Sequence, residues 1–199
     1  MNQQQFWNQK FKRDDFLYGQ NPNQFIKDNY YLLKPKSKVL CLGEGEGRNA
    51  IFLAKNGFDI TAIDASDIGL EKLKNSAIQQ NCSVKTECLD LDSWKSMEKY
   101  DSIICSYLHL EEPLRQDVFK KVFNSLNIGG YFIAEFFSKS QINYKSGGPR
   151  VIELLYTVSD FNNIFPKDSL IYLSEDETIL NEGDGHQGLA SVIRVICKR

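Results

Sequence analysis

Lys38-Val39-Leu40-Cys41-Leu42-Gly43-Glu44-Gly45-Glu46-Gly47-Arg48-Asn49 decides the fold. Its first five residues are a short, mostly apolar run of the kind that forms a buried strand in a parallel sheet. Three glycines follow at alternate positions. Behind them Ala50, Ile51, Leu53 and Ala54 are spaced to cover one inner helix face, which stops near Asn56-Gly57. A strand, a glycine bend and a helix open a βαβ unit whose loop backbone can approach a ligand closely.

The same alternation continues in both directions. Downstream, Asp59 to Ile63 reads as a second strand, and Ser66 or Asp67 can cap a helix running to about Gln80. Val84 to Leu89 and Ser102 to Ser106 are the third and fourth strands. Pro113 starts a helix toward Leu126, and Gly129-Gly130 leads into a strand over Tyr131 to Phe136. A helix is expected after Pro149. Ser169 to Leu173 and Gly188 to Cys197 then close the chain, with no long helix between them, which implies an antiparallel hairpin. Upstream, Phe6 to Phe11 is an aromatic helix, broken at Tyr18-Gly19-Gln20-Asn21-Pro22-Asn23, and Pro22 can open a second helix through Leu33. The expected fold is α/β, a doubly wound, mostly parallel, seven-stranded sheet in one domain (1–199), with residues 1–34 as a helical lid. Right-handed crossovers gather the strand ends, and the ligand, along one edge.

A chain of 199 residues suits one sizeable core, and 42% hydrophobic with 25% charged residues is ordinary globular composition. A formal charge of −2 gives no broad attraction for nucleic acid or anionic lipid, and no basic stripe is visible. Met1 to Gln5 lacks the features of a signal peptide, and no apolar stretch approaches the roughly 20 residues of a membrane span, so a cytoplasmic location is expected. Cys41, Cys82, Cys88, Cys105 and Cys197 form no C-x-x-C pair. Three of them lie in strand-like runs and read as core thiols, so no metal site is expected.

The chemistry of the bend separates two cofactor classes. A dinucleotide site wants G-x-G-x-x-G with pyrophosphate on the helix N-terminus. Here the spacing is G-x-G-x-G, with Glu44 and Glu46 inside it. Carboxylates repel a pyrophosphate but suit the ammonium and sulfonium of S-adenosylmethionine; one such pair about 4 Å apart gains roughly 4 kcal/mol at an effective dielectric near 20, before desolvation. Asp64, at the end of the second strand, is placed to accept ribose hydroxyls. Asp90, in Cys88-Leu89-Asp90-Leu91-Asp92, is placed to accept the adenine amino hydrogens. An aspartate at a strand end also serves as a helix cap, but loop, Asp64 and Asp90 recur at successive strand ends in order.

Val39 through Gly47, Ala62-Ile63-Asp64 and Leu89-Asp90-Leu91 resemble the cofactor motifs of class I S-adenosylmethionine-dependent methyltransferases, which have a Rossmann-like fold. From about Trp7 to Cys197 the chain resembles the branch of small enzymes related to tellurite-resistance and thiopurine methyltransferases. The cues are Trp7 with Lys10-Phe11, Tyr18-Gly19 with Pro22-Asn23, Gly43 through Asn49, Gly147-Gly148-Pro149 and His186-Gln187-Gly188. Cys41 stands where many relatives have an aspartate, Glu44 where a small residue is common, and Gln187 where a tellurite enzyme would present an arginine. The resemblance implies Tyr18, Gly43, Glu44, Gly45, Gly47, Arg48, Asp64, Ala65, Asp90, Leu91 and Ser106 as cofactor contacts.

Methyl transfer is an in-line displacement, so alignment and water exclusion are the protein's main contributions, and a base helps only a protonated acceptor. His109, in Ser106-Tyr107-Leu108-His109-Leu110, is the first candidate base; Glu111 and Glu112 are expected to raise its pKa. The plainer reading is a loop-orienting histidine. His186 lies in Glu182-Gly183-Asp184-Gly185-His186-Gln187-Gly188, as a pocket wall or a surface hairpin tip. Tyr18, Tyr107 and Tyr144 are further wall candidates. Phe6, Trp7 and Phe11 are expected to seal the adenosyl group, Lys10 or Arg48 to pair with the methionine carboxylate, and Asn143 to Pro149 to form a flexible cover. Three readings follow: an enzyme methylating a small thiol, metalloid or other soft or aromatic acceptor, a non-catalytic module binding S-adenosylmethionine or S-adenosylhomocysteine, and a nucleotide-dependent oxidoreductase. A homodimer is compatible with all three.

Overall fold

The computed structural model describes residues 2–199. Among the described residues thirteen α-helices and β-strands run in chain order: α1 Gln3–Phe11, α2 Gln24–Asn29, β1 Lys38–Leu42, α3 Arg48–Lys55, β2 Asp59–Asp64, α4 Asp67–Gln79, β3 Val84–Cys88, β4 Tyr100–Ser106, α5 Leu114–Ser125, β5 Leu126–Phe137, α6 Val158–Ile164, β6 Leu170–Glu182 and β7 His186–Lys198. They build one seven-stranded sheet of order β3-β2-β1-β4-β5-β7-β6. β1 to β5 are mutually parallel where they pair, and β7 runs antiparallel to both β5 and β6.

Alternation along β1 explains why both sheet faces are covered. Leu40 and Leu42 pack with Ile103, Phe119, Phe132 and Phe161 on one face, while Val39 and Cys41 pack with Leu53, Ile60, Leu73 and Ile104 on the other. Cys41, Cys105 and Cys197 are buried in these cores, and all five thiols are free. Strand order reverses between β1 and β4, and the crevice at such a switch point is where this architecture binds ligands.

Several boundaries differ from the sequence reading, among them β5, which begins at Leu126 and not Tyr131, and α2, which ends at Asn29 and not Leu33. Pro22 lies outside α2, which begins at Gln24 because the Asn23 side chain accepts the Ile26 N–H at 3.1 Å. The helix expected after Pro149 begins at Val158, where Thr157 and Asp160 form a capping box. The closing hairpin is far longer than its apolar segments. Ser174-Glu175-Asp176-Glu177-Thr178 is too polar to read as buried strand, yet it belongs to an edge strand, where charge guards against unwanted pairing.

Candidate active site

The cleft at the switch point is walled by four strand ends, α1, the segment after α1, and the turn of the β6–β7 hairpin. It encloses about 900 Å³ counted to its open mouth. All eleven residues expected at the cofactor line it: Tyr18, Gly43, Glu44, Gly45, Gly47, Arg48, Asp64, Ala65, Asp90, Leu91 and Ser106. His109 and His186 line it too, as do Trp7 and Phe11 of the first helix.

Backbone conformation shapes the glycine loop. Gly47 has φ +94°, and a Cβ there would press into Leu73, with Leu73 Cβ and Cδ1 both at 2.8 Å. A side chain at Gly45 would meet the Phe11 ring at 2.9 Å, so this glycine lets the α1 lid close on the loop. The loop is tied to β2 by the Gly43 N–H on Ile63 O at 2.9 Å and the Gly45 N–H on Asp64 Oδ2 at 2.7 Å.

Glu44 and Glu46 are both buried, and both line the cleft while accepting hydrogen bonds from the protein. Glu44 Oε1 accepts the Ala50 N–H at 2.7 Å in the first turn of α3, and burial pushes its pKa up to about 7. Glu46 accepts the Leu17 N–H at 2.8 Å and the Lys72 ammonium at 2.7 Å, holding the segment after α1 down onto the loop. A buried carboxylate seeks whatever donors surround it, and here a helix N-terminus and a lysine supply them. Asp64 takes one backbone N–H on each oxygen, from Gly45 and from Ser66, both at 2.7 Å, which leaves each oxygen a second lone pair. Burial pushes Asp64 up to about 6. Asp90 lines the cleft beyond β3, and among the described residues its side chain takes only a long 3.5 Å contact from Asp92 N.

The opposite end of the cleft is aromatic. The His186 ring lies 4.4 Å from Tyr18, 4.5 Å from Tyr107 and 5.0 Å from Phe137, measured between centroids. Trp7 stacks on Phe11 at 5.6 Å and on His109 at 6.2 Å. Burial, with His186 close by, lowers the His109 pKa to about 3; Glu111 and Glu112 are exposed and do not raise it. Burial also lowers His186, against the pull of Glu182. Both imidazoles are therefore neutral near pH 7.

Behind this wall lies a polar network that sequence reading missed. Glu135, 2% exposed, receives the Asn23 amide at 2.6 Å, the Tyr107 hydroxyl at 2.6 Å and Arg194 Nε at 2.7 Å. Tyr107 holds φ +52°, a strained conformation for a tyrosine, kept by these bonds and by stacking on Phe137 at 4.5 Å. Glu182 joins His186 to Arg48, at 2.9 and 3.0 Å. Glu135 was visible as the lone charge in the apolar run Tyr131 to Phe137; Glu182 gave no such signal.

Several expected wall residues lie elsewhere. Lys10 is exposed above the Phe6 ring, and Phe6 is itself 44% exposed, so neither reaches the cleft. Tyr144 bonds Glu177 on β6 instead. Residues 143–149 do not line the cleft: Gly147 sits behind His186, its carbonyl held by Gln141 at 3.0 Å, so the expected cover is a buttress. The hairpin turn instead clasps the segment after α1, through the Gly185 N–H on Leu17 O at 2.9 Å and Asp184 on Arg13 at 2.7 Å. Among the described residues no cluster of three His, Cys, Asp or Glu could hold a metal ion, and no helix is long and apolar enough to cross a membrane.

Comparison with known proteins bears on the family and the fold. Residues 4–141 match the family "Tellurite resistance protein TehB". The chain is 29% identical over 96 residues to the probable S-adenosyl-L-methionine-dependent methyltransferase TehB of Haemophilus influenzae, a match spanning 47% of this chain and 34% of that protein's length. It is 28% identical over 163 residues to the ubiquinone biosynthesis O-methyltransferase of Coxiella burnetii, covering 81% of this chain and 65% of that one. In fold it is similar to the crystal structure of TehB from Haemophilus influenzae, with a TM-score of 0.74 at 19% identity, covering all of this chain and 67% of that one. It is also similar to the N-methyltransferase NodS from Bradyrhizobium japonicum in complex with S-adenosyl-L-homocysteine, with a TM-score of 0.70 at 16% identity, covering 100% and 99% of the two chains. The chain therefore belongs to the TehB family of the class I S-adenosylmethionine-dependent methyltransferases.

Proposed function

We propose that this protein transfers the methyl group of S-adenosylmethionine to a small-molecule acceptor with a soft or aromatic nucleophile. The observation that carries the reading is the cleft itself: Asp64 and Asp90 stand at two successive strand ends on one side of the glycine loop, and an aromatic, neutral-histidine wall stands on the other. The residues suit the cofactor. Asp64 keeps a free lone pair on each oxygen for the ribose hydroxyls, Asp90 is unencumbered for the adenine amino group, and glycine backbone borders the space between. The bound cofactor supplies an electrophilic methyl group on a positively charged sulfur.

The chain's own residues do the rest. Trp7, Phe11 and Tyr18 cover the cleft and exclude water, which strengthens the attraction between an electron-rich acceptor and a cation. Of the expected 1–34 lid, residues 3–19 thus serve as the cover of a single domain, Phe25, Ile26 and Leu33 pack into the core of the sheet, and Met1 lies outside the described residues. Tyr107, His109 and His186 set the acceptor against the reacting carbon, and holding that alignment can remove several kcal/mol of barrier. A small acceptor is favoured because the segment after α1 and the hairpin turn close over this end. The relatives named above, an O-methyltransferase and an N-methyltransferase among them, support the reaction class.

Calorimetry with S-adenosylmethionine, S-adenosylhomocysteine and NAD, followed by a panel of thiol, phenol and selenite acceptors assayed for S-adenosylhomocysteine release, tests this reading. Binding of the first two and turnover of at least one acceptor is expected. Preference for NAD overturns it. Tight binding without turnover across the panel would favour a binding module instead.

A further inference from the structure

His109 and His186 share the acceptor end of the cleft, but only one is held by a hydrogen bond. Among the described residues nothing bonds either His109 nitrogen, and its ring stacks on Trp7 and Phe137. His186 Nδ1 lies 2.9 Å from Glu182 Oε2, and the same oxygen accepts Arg48 Nη2 at 3.0 Å. All three side chains are buried, with 3%, 10% and 8% of His186, Glu182 and Arg48 exposed. Burial alone would raise the Glu182 pKa, but the bonds from His186 and Arg48 hold it below the usual range. An ionised carboxylate can only accept, so the proton of the neutral imidazole must sit on Nδ1. Nε2 then carries the lone pair; it makes no hydrogen bond among the described residues, and the ring lines the cleft.

We infer that Glu182 is a positioning residue that fixes His186 as the proton acceptor of this site, and that the acceptors served are ones that shed a proton on methylation, thiols or hydroxyls. This rests on the methyl-transfer reading above. The acceptor's proton passes to His186 Nε2 as its sulfur or oxygen forms a bond to the methyl carbon. The electron pair of the broken carbon–sulfur bond stays on the donor sulfur, and the imidazolium then returns its proton to solvent. Around His186, Glu182 from β6 and Glu135 from β5 favour that imidazolium, Arg48 from α3 opposes it, and Tyr18, Tyr107 and His109 complete the surroundings.

The first test reads the tautomer directly, by long-range ¹H–¹⁵N NMR of the cofactor-free protein, with His186 assigned through the variant His186→Asn. Wild type should show a single Nδ1–H tautomer at neutral pH, and Glu182→Gln a mixed or reversed one. An Nε2–H tautomer in wild type overturns the inference. The second test uses an alkyl thiol with a pKa near that of cysteine, about 8.5. Glu182→Gln should lower kcat at least about tenfold at neutral pH and only about threefold or less above pH 9, where the thiol ionises without help. An equal loss at both pH values means a structural role and also overturns it. Failure of wild type to bind S-adenosylmethionine would remove the methyl-transfer reading and with it the acceptor class, while the tautomer measurement still decides what Glu182 does to His186.

Discussion

Gly47→Ala isolates the steric demand of the cofactor loop, because the protein carries its own control. Gly47 and Gly57 flank α3, and both hold positive φ, +94° and +86°. A methyl group at Gly57 would meet nothing within 4 Å, whereas at Gly47 it would be driven into Leu73, which is fully buried. The left-handed backbone costs an alanine about 1–2 kcal/mol at either site. Reduced freedom of the unfolded chain returns about 0.4–1 kcal/mol at both. Gly57→Ala should therefore lose only about 1 kcal/mol. Gly47→Ala adds the overpacking term, about 1–3 kcal/mol, so the two variants should differ by that amount. Urea unfolding at equal m-value measures it as a difference in midpoints. In a Leu73→Ala background the extra penalty at Gly47 should shrink toward the Gly57 value. Two variants that agree within about 0.5 kcal/mol, the scatter of an ordinary surface change, would refute the reasoning.

Asp64→Asn leaves one oxygen for two backbone donors and the ribose, and should weaken S-adenosylmethionine binding by about 1.5–3 kcal/mol, roughly 10- to 150-fold in Kd by calorimetry. Asp64 and Glu44 have pKa values raised to about 6 and 7, so in the cofactor-free fold their contribution to stability is full below the ordinary carboxylate range and fades as pH rises through 6 to 7. Cofactor binding needs ionised Asp64 and has the opposite sign, so the Tm shift on adding S-adenosylhomocysteine should grow from pH 5 to pH 8; a flat profile would remove Asp64 from the site. Arg115→Met strips the donors from Leu110 O (3.0 and 2.7 Å) and Glu153 O (2.6 Å), and the guanidinium from above the Tyr156 ring. A loss of about 3–5 kcal/mol is expected, a fall in Tm of about 6–20 °C by scanning calorimetry.

Local pattern was enough for much of this protein. Short apolar runs, helical spacing and glycine placement marked the parallel strands, the edge where their ends gather, and the strand-end residues Asp64 and Asp90, because each of those features is written within a few consecutive residues. Strand order was not legible, since pairing depends on which buried faces meet across long separations. Nor were the jobs of the loop acids. Glu44 and Glu46 look like free anions in the chain, and only the folded surroundings show that Ala50 N–H, Leu17 N–H and Lys72 already claim them. The exposed edge strand β6 hid its length behind solvent-facing charges. The tertiary structure alone brought Arg48, Glu182 and His186 together, residues 134 and 4 positions apart along the chain, and so decided which histidine is oriented: a hydrogen bond needs contact in space, and no spacing in the sequence encodes it.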